Sequence, residues 1–535
     1  MYIAACHAAL PCLRMLIAAG ANVNKPLRTD GASPMYIAAE NDHVEALELL
    51  VGAGADINAA VEAGGTPLFM ATQKRNVRAM RVLLAAGADV TRATELGLTP
   101  AIFAATHGLA EELEMLLEAG ADPDFAPPDT GATAAFCAAQ SGHNNCLRVL
   151  VRRGADMNKG VNGTGATPLV MAAQFGYDKS LRLVLEGGAE VDQPDTKPGS
   201  YVTALFVAVQ NNKIACVRAL LEAGAAGGRQ RPSDGVTPVL MAAYCGHDRC
   251  LRLILDRCAA AKDVPATNGI TPAFAAAQKG RVECLRLLAE RGADLDRPGL
   301  STGETPAYTA AFRGHAPCLA VLLEHGTKDT KDGARQTGAT PAFAAAMGGN
   351  AECLRLLVKA KADVRKKTEF GHTPLDAAEI FGYTDCVEVL KAGMESLDRR
   401  DVRRTSRRAA RVCAKCGATQ GDHDAAQRDA GTFPSGSRTS SGRTKHAATW
   451  AAFKQCAACQ GSRTYYCSKK CQKMHWPEHK PACKAWQAKQ AESKAAVLAV
   501  EPEPPEVLIK ATEPMEGPPT LEEKVGRFVD SCVQQ

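Results

Sequence analysis
A mainly α fold is expected, with a solenoid of stacked helix-turn-helix units followed by a small domain too short to be held by its own apolar core. Three observations lead there. The chain has 535 residues, 46% hydrophobic, 23% charged and only 5% aromatic, which is too long for one compact core and rich in Ala, Leu and Gly. A Thr-Pro pair or its equivalent returns every 33 to 36 residues. Of twenty cysteines, twelve lie scattered before residue 400, and most of the rest crowd into one later segment.

The repeat comes first, because a fixed period decides the architecture. Ser33-Pro34 returns as Thr66-Pro67, Thr99-Pro100, Thr133-Ala134, Thr167-Pro168, Thr203-Ala204, Thr237-Pro238, Thr271-Pro272, Thr305-Pro306, Thr340-Pro341 and Thr373-Pro374. Ser or Thr caps a helix N-terminus, and Pro fits the first helical position because the N–H it lacks would have no partner there. Each anchor is followed by an Ala-rich turn of helix, a Gly or polar break, and an apolar helix such as Cys353-Leu354-Arg355-Leu356-Leu357. Most periods close on a turn like Gly54-Ala55-Asp56-Ile57-Asn58, where Gly supplies the left-handed stop. No stretch approaches the ~20 apolar residues of a membrane helix, and Met1 heads no cleavable leader. An intracellular protein, cytoplasmic or nuclear, is expected, with the twelve array cysteines as buried free thiols.

These anchors resemble the ankyrin repeat family over residues 1–393. The resemblance implies helix, turn, helix and a projecting finger in each unit. Where that family usually places His after Thr-Pro-Leu, this chain has Tyr36, Phe69, Phe136, Phe206, Phe274, Tyr308 and Phe343, and Asp376 in the last unit. Apolar packing is expected to replace the hydrogen bond of that His. Met1 to Ala5 match Met35 to Ala39, so the first unit is read as truncated, with further sequence upstream. In such an array the apolar faces are consumed in stacking, which leaves the concave side for function. By register with the family, Lys74, His107, Phe175, Tyr244, Lys279, Phe312, Arg313 and Phe381 face it, and Glu62, Glu95, Asp129, Asp234 and Glu369 stand on the fingers. Mixed aromatic and charged groups suit a protein partner.

The later cysteines read Cys413-x2-Cys416, a long gap, Cys456-x2-Cys459, Cys467-x3-Cys471 and His479-x3-Cys483. Two thiolates two residues apart can reach one tetrahedral zinc, at about 2.3 Å each. Eight donors suffice for two closed structural Zn2+ sites; a single site from Cys467, Cys471, His479 and Cys483 is the alternative. Structural zinc binds with about 10–16 kcal/mol apparent energy, which would supply the folding energy so small a segment lacks. Pro477 breaks the helical face shared by Cys471 and His479, so ligands on its two sides can serve different ions, the first and third pairs on one and the second and fourth on the other.

The run from Tyr466-Cys467-Ser468 through Trp476 and His479-Lys480 to Cys483 is similar to the second half of the MYND zinc finger. That resemblance implies a protein-interaction module that grips short proline-containing peptides. The domain reading is therefore 1–393 array, 394–412 basic linker, 413–484 MYND-like finger with an insert at about 417–455, and 485–535 tail. Departing from the family, the insert separates the first two cysteine pairs, at small cost because loop-closure entropy grows only logarithmically.

Net charge is +5, but it is unevenly spread. Lys391 to Arg411 hold eight basic and three acidic residues and Cys413 to Lys484 twelve and four, which leaves the remainder acidic. The arginine run from Arg399 to Arg411 reads equally as a nuclear localisation signal or a solvated helix. Glu501 to Pro519 is expected to be disordered. Thr520 and Glu523 form a capping-box pattern before an apolar stripe through Leu521, Val525 and Phe528. No phosphate-binding loop, His-Glu-x-x-His or Gly-x-Ser-x-Gly is present, and an enzyme is not expected. The reading is a scaffold or adaptor, with transcriptional regulation as one setting: the array binds one protein and the finger a second. Its alternatives are a substrate-recruiting subunit of a ubiquitin ligase or methyltransferase complex, and a nucleic-acid-binding zinc protein. The last is disfavoured because no recognition helix with base-reading spacing accompanies the basic residues.

Overall fold
The computed structural model describes residues 1–27, 31–195, 201–300, 303–327, 330–333 and 337–397, together with the backbone of 454–455 and 465–466. The arginine run, most of the insert, the eight residues expected to bind zinc, the proline stretch and the capping-box segment lie outside the described residues. The described chain forms two compact units, residues 1–310 with 317–330, and 311–316 with 331–397.

In the first unit the helices come in pairs: α1 (Tyr2–Cys6) and α2 (Leu10–Ala18), α3 (Pro34–Glu40) and α4 (Val44–Gly52), α5 (Pro67–Gln73) and α6 (Val77–Ala85), α7 (Pro100–His107) and α8 (Ala110–Glu118), α9 (Ala134–Ser141) and α10 (Asn144–Arg152). The series continues with α11 (Pro168–Phe175) and α12 (Asp178–Glu186), α13 (Ala204–Gln210) and α14 (Ile214–Glu222), α15 (Pro238–Cys245) and α16 (Asp248–Arg257), α17 (Pro272–Lys279) and α18 (Val282–Glu290), then α19 (Pro306–Phe312) and α20 (Ala316–His325), of which 311–316 belong to the second unit. The second unit holds α21 (Pro341–Met347), α22 (Ala351–Lys359), α23 (Pro374–Phe381) and α24 (384–397). The last helix runs on through 394–397, the start of the segment read as linker.

Each first helix starts where the anchor places it. Thr66, Thr133, Thr237 and Thr340 each accept the backbone N–H three residues on, and the same holds at the other anchors. These helices are short because nearly every residue in them is buried: Pro272 to Gln278 of α17 has no exposed member. Alanine makes that tolerable, since its small side chain lets helices approach on every side at no rotamer cost. First helices stack on first helices, as α3 on α5 and α15 on α17, and second on second, as α10 on α12. The second helices present one apolar face, with Leu47, Leu50, Leu83, Leu113 and Leu116 fully buried, each contributing about 1.5–3 kcal/mol of transfer energy.

The aromatic substitutes behave as expected. Tyr36, Phe69, Phe136, Phe206, Phe274, Tyr308 and Phe343 are all buried. In the last repeat Asp376 instead completes a capping box, accepting from the Thr373 N–H at 2.8 Å while Thr373 Oγ1 accepts from its own N–H at 3.2 Å. One expectation needs correction. Of the twelve array cysteines, Cys12 is exposed and Cys6, Cys245 and Cys258 are only half-buried; the other eight occupy the core, and none is in a disulfide.

Between repeats, polar side chains make joints that the periodic reading did not assign. Asn24, Asn58, Asp124, Asn158 and Asp263 each accept the backbone N–H of a residue 31 or 32 positions on, at 2.7–2.9 Å. In the second unit Asp332 does the same for Asp363 at 2.7 Å. The carboxylate or amide closing one turn thus sets the start of the next.

Candidate interaction surface and metal centre
Two features of each repeat are left over after stacking, the carboxyl-terminal tip of the first helix and the finger before its anchor. Their side chains belong to residues that the helix geometry turns away from the stacked faces. Lys74, His107, Phe175 and Lys279 are exposed; Tyr244, Phe312, Arg313 and Phe381 are half-buried. The tips are organised by local contacts rather than left free. Lys74 Nζ pairs with Glu40 Oε1 at 3.1 Å. His107 lies flat on Phe103 with ring centres 4.1 Å apart. Phe175 stacks on Tyr177 at 6.1 Å, and Lys279 Nζ sits 4.7 Å above the Tyr244 ring. In the second unit Phe381 stacks on Tyr383 at 6.2 Å.

Phe175 and Tyr177 remain 41% and 39% exposed. Stacking fixes their rings and leaves their outer faces to water, which favours contact with a partner at little further cost in rotamer entropy. Tyr177 and Tyr383 were not singled out from the sequence. Their signal is the spacing itself, two residues beyond an aromatic helix end and across a glycine.

The fingers are bound to one another by single backbone hydrogen bonds. Glu95 N–H donates to Ala63 O at 3.2 Å, Thr267 to Asp234 O at 2.9 Å and Leu300 to Asn268 O at 3.0 Å. In the second unit Glu369 donates to Thr337 O at 3.0 Å. Glu62, Glu95, Asp129 and Glu369 point an unburied carboxylate outward. Asp234 does not: it is held by Arg231 through both Nε and Nη2. Leu96 and Phe370 are exposed beside Glu95 and Glu369, and Leu300 is exposed on another finger, so the finger tips are apolar as well as acidic. A large apolar residue shortly before the finger glycine, as in Glu369-Phe370-Gly371, is the sequence signal for them.

The residues read from the sequence as metal donors, Cys413, Cys416, Cys456, Cys459, Cys467, Cys471, His479 and Cys483, lie outside the described residues. Nearby, Lys454–Gln455 and Tyr465–Tyr466 form a two-stranded antiparallel ladder, Lys454 opposite Tyr466 and Gln455 opposite Tyr465. The donor set, seven thiolates and one imidazole, is chemically suited to zinc. Among the described residues no cluster of His, Cys, Asp or Glu could hold a metal, and no helix is long and apolar enough to cross a membrane.

Comparison with known families agrees with both parts. A family model described as ankyrin repeats (3 copies) matches residues 1–61, 101–195, 194–264, 255–332 and 327–401, more than half of the chain. Residues 62–100 escape it, yet α5 and α6 pack there as in the other repeats. A second model, for the MYND finger, matches residues 445–483. That span takes in Cys456 to Cys483 and begins after Cys413 and Cys416. Among solved structures, the crystal structure of the ankyrin repeat domain of Bcl-3, titled a unique member of the IkappaB protein family, is 26% identical. It covers 42% of this chain and 99% of its own, with a TM-score of 0.37. Comparison with curated proteins gives no match.

Proposed function
We propose, from the premise that the chain belongs to the ankyrin-repeat family and carries a MYND finger, that it is a non-enzymatic scaffold joining two protein partners. The array binds one through the first-helix tips and fingers on its concave side. The finger holds the second through a short proline-containing peptide. The observation that carries this reading is the exposed, pre-stacked Phe175–Tyr177 pair among charged neighbours. Aromatic groups of this kind are over-represented where proteins meet.

In the finger, Cys413, Cys416, Cys467 and Cys471 would hold one zinc and Cys456, Cys459, His479 and Cys483 the other. Both sites would be closed and structural, and the metal would supply folding energy. The strand register supports dividing the second and third pairs. In the antiparallel ladder Gln455 and Tyr466 stand at opposite ends.

Capture experiments with the full chain test the scaffold. Phe175→Ala with Tyr177→Ala should lose one set of bound proteins, and Cys467→Ser a different set. Retention of every bound protein by both variants would sink the two-partner reading. Zinc content tests the finger: the wild type should carry two ions and Cys413→Ser one. One ion in both would restrict metal binding to the later donors, the span that the MYND match covers.

A further inference from the structure
We propose that the cleft beside Arg231, between two successive fingers of the first unit, is a docking slot for an acidic side chain of a partner polypeptide. The proposal rests on the array being a protein-binding surface and assigns one part of it a ligand chemistry. The cleft has a volume of about 180 Å³, and its walls include Pro194, Tyr201, Phe206, Arg229, Arg231 and Pro232.

Arg231 does not belong there on structural grounds. In its finger Arg231 N–H donates to Val236 O. The same station is filled by Leu27, Val61, Thr94, Val161 and Ala266 in other fingers of this unit and by Asp195 in the preceding one, each donating its N–H across the finger in the same way. Most of those fingers form without a charge, whereas Arg231 is only 4% exposed and Asp195 is fully buried. A buried guanidinium is costly unless it is paired and used. Two of its three nitrogens, Nε and Nη2, are taken by Asp234, and its carbon lies 4.9 Å over the Phe206 ring. The third, Nη1, is buried with no acceptor among the described residues.

The rim adds the rest. Arg229 is exposed and has no ion-pair partner among the described residues, so two guanidinium groups and no carboxylate line the cleft, Asp234 and the buried Asp195 lying outside its walls. Tyr201, 41% exposed, stands at the mouth with φ +46°, a left-handed conformation that bulky residues rarely adopt and that clusters at functional positions. A carboxylate offers Nη1 and Arg229 the oxygens they lack, and the Tyr201 face can cover the apolar stem that carries it. Nucleic acid fits less well, because the exposed Glu95 and Asp129 of other fingers repel a phosphate backbone.

Hydrogen–deuterium exchange of the full, zinc-loaded chain reads the site locally, away from the basic finger. N-acetyl-triglutamate amide, added in excess, should slow exchange in residues 226–236, whereas trilysine and triglutamine amides should not. Arg229→Ala, at an exposed position, should weaken the apparent affinity at least tenfold, and so should Arg231→Met; Arg249→Ala, an exposed arginine outside the cleft, should leave it unchanged. No protection of 226–236, protection undiminished in Arg229→Ala, or equal protection by triglutamine would overturn the proposal. A phosphoserine tripeptide that protects where triglutamate fails would overturn the carboxylate assignment. Because the scaffold reading is tested separately by the Phe175 and Tyr177 variants, partner loss there with no response at 226–236 removes only the cleft.

Discussion
Asp42, Arg75 and Asn212 hold positive φ, at 57°, 63° and 54°, in the turn where other repeats use glycine, such as Gly142 at 77°. A left-handed conformation costs a residue with a side chain about 1–2 kcal/mol. Each of the three side chains is engaged in the next repeat. Asp42 Oδ1 accepts the Ala79 N–H at 2.9 Å, Asn212 Oδ1 accepts from Cys250 Sγ at 3.4 Å, and Arg75 Nε pairs at 3.7 Å with Glu112, whose side chain is 5% exposed. The caps at these repeats could be read from Ser/Thr-Pro alone, because the cap and its N–H lie three residues apart. The left-handed exceptions could not, because the group that justifies Arg75 sits 37 residues away. A double-mutant cycle separates the two effects. Arg75→Gly relieves backbone strain but leaves the Glu112 carboxylate buried without its cation, and a net loss of about 1 kcal/mol is expected because a stranded buried charge outweighs the relief. In a Glu112→Gln background the same change should stabilise. Urea midpoints of the four proteins check it, and an unchanged sign in the second background would refute the compensation.

Helices of successive repeats are tied at one recurring station, the residue just before each second helix. Asn76 Nδ2 donates to Ala39 O and Glu40 O, at 2.9 and 2.8 Å. The Nε2 atoms of His43, His143 and His247 lie 3.0, 2.9 and 3.3 Å from Cys6 O, Thr106 O and Gln210 O. In the second unit Asn350 Nδ2 donates to Ala311 O at 2.9 Å and to Phe312 O at 2.7 Å. These groups satisfy carbonyls that a helix end leaves open. The helices themselves were legible from period and caps; this ladder was not, since Asn and His at a turn read equally well as solvent-facing residues. The histidine version carries a pH consequence. Burial, with Arg281 adding to it, holds the His247 ring below its ordinary value, while the Gln210 carbonyl and Asp248 oppose the shift. Above the unfolded value, near 6.5, the ring is neutral folded or unfolded and nothing is lost. As pH falls through that value the unfolded chain takes the proton first, so stability declines. His247→Asn, which supplies the amide already used at Asn76 and Asn350, should therefore lose less stability between neutral pH and pH 5 than the wild type does. Equal losses, measured by urea midpoints at the two values, would show that this ring is not a source of the decline.

The chain uses cysteine in two opposite ways. In the array, burial pushes the thiols of Cys137, Cys146 and Cys284 up to about 12 and those of Cys216, Cys250 and Cys318 up to about 11. They are small apolar fillers that do not ionise near neutrality, and only thiolates attack disulfide reagents. In the finger the same side chain must be deprotonated to bind metal. Spacing separates the two readings, because array cysteines recur with the repeat and finger cysteines come in close pairs; exposure of Cys12 was invisible because it stands third in α2, just as the buried Cys146 stands third in α10. A thiol count on the zinc-loaded chain at mildly alkaline pH follows from this division. Exposed Cys12 should react fast with a disulfide reagent. Adding a strong chelator should bring seven further thiols, Cys413, Cys416, Cys456, Cys459, Cys467, Cys471 and Cys483, into the fast phase. With a single site, only Cys467, Cys471 and Cys483 would respond to the chelator, the other four having reacted beforehand. In either case mass spectrometry should find Cys146, Cys284 and Cys318 unlabelled in the fast phase. Their prompt labelling after chelation would mean that the array loses its structure with the metal, and its stability would then not be its own.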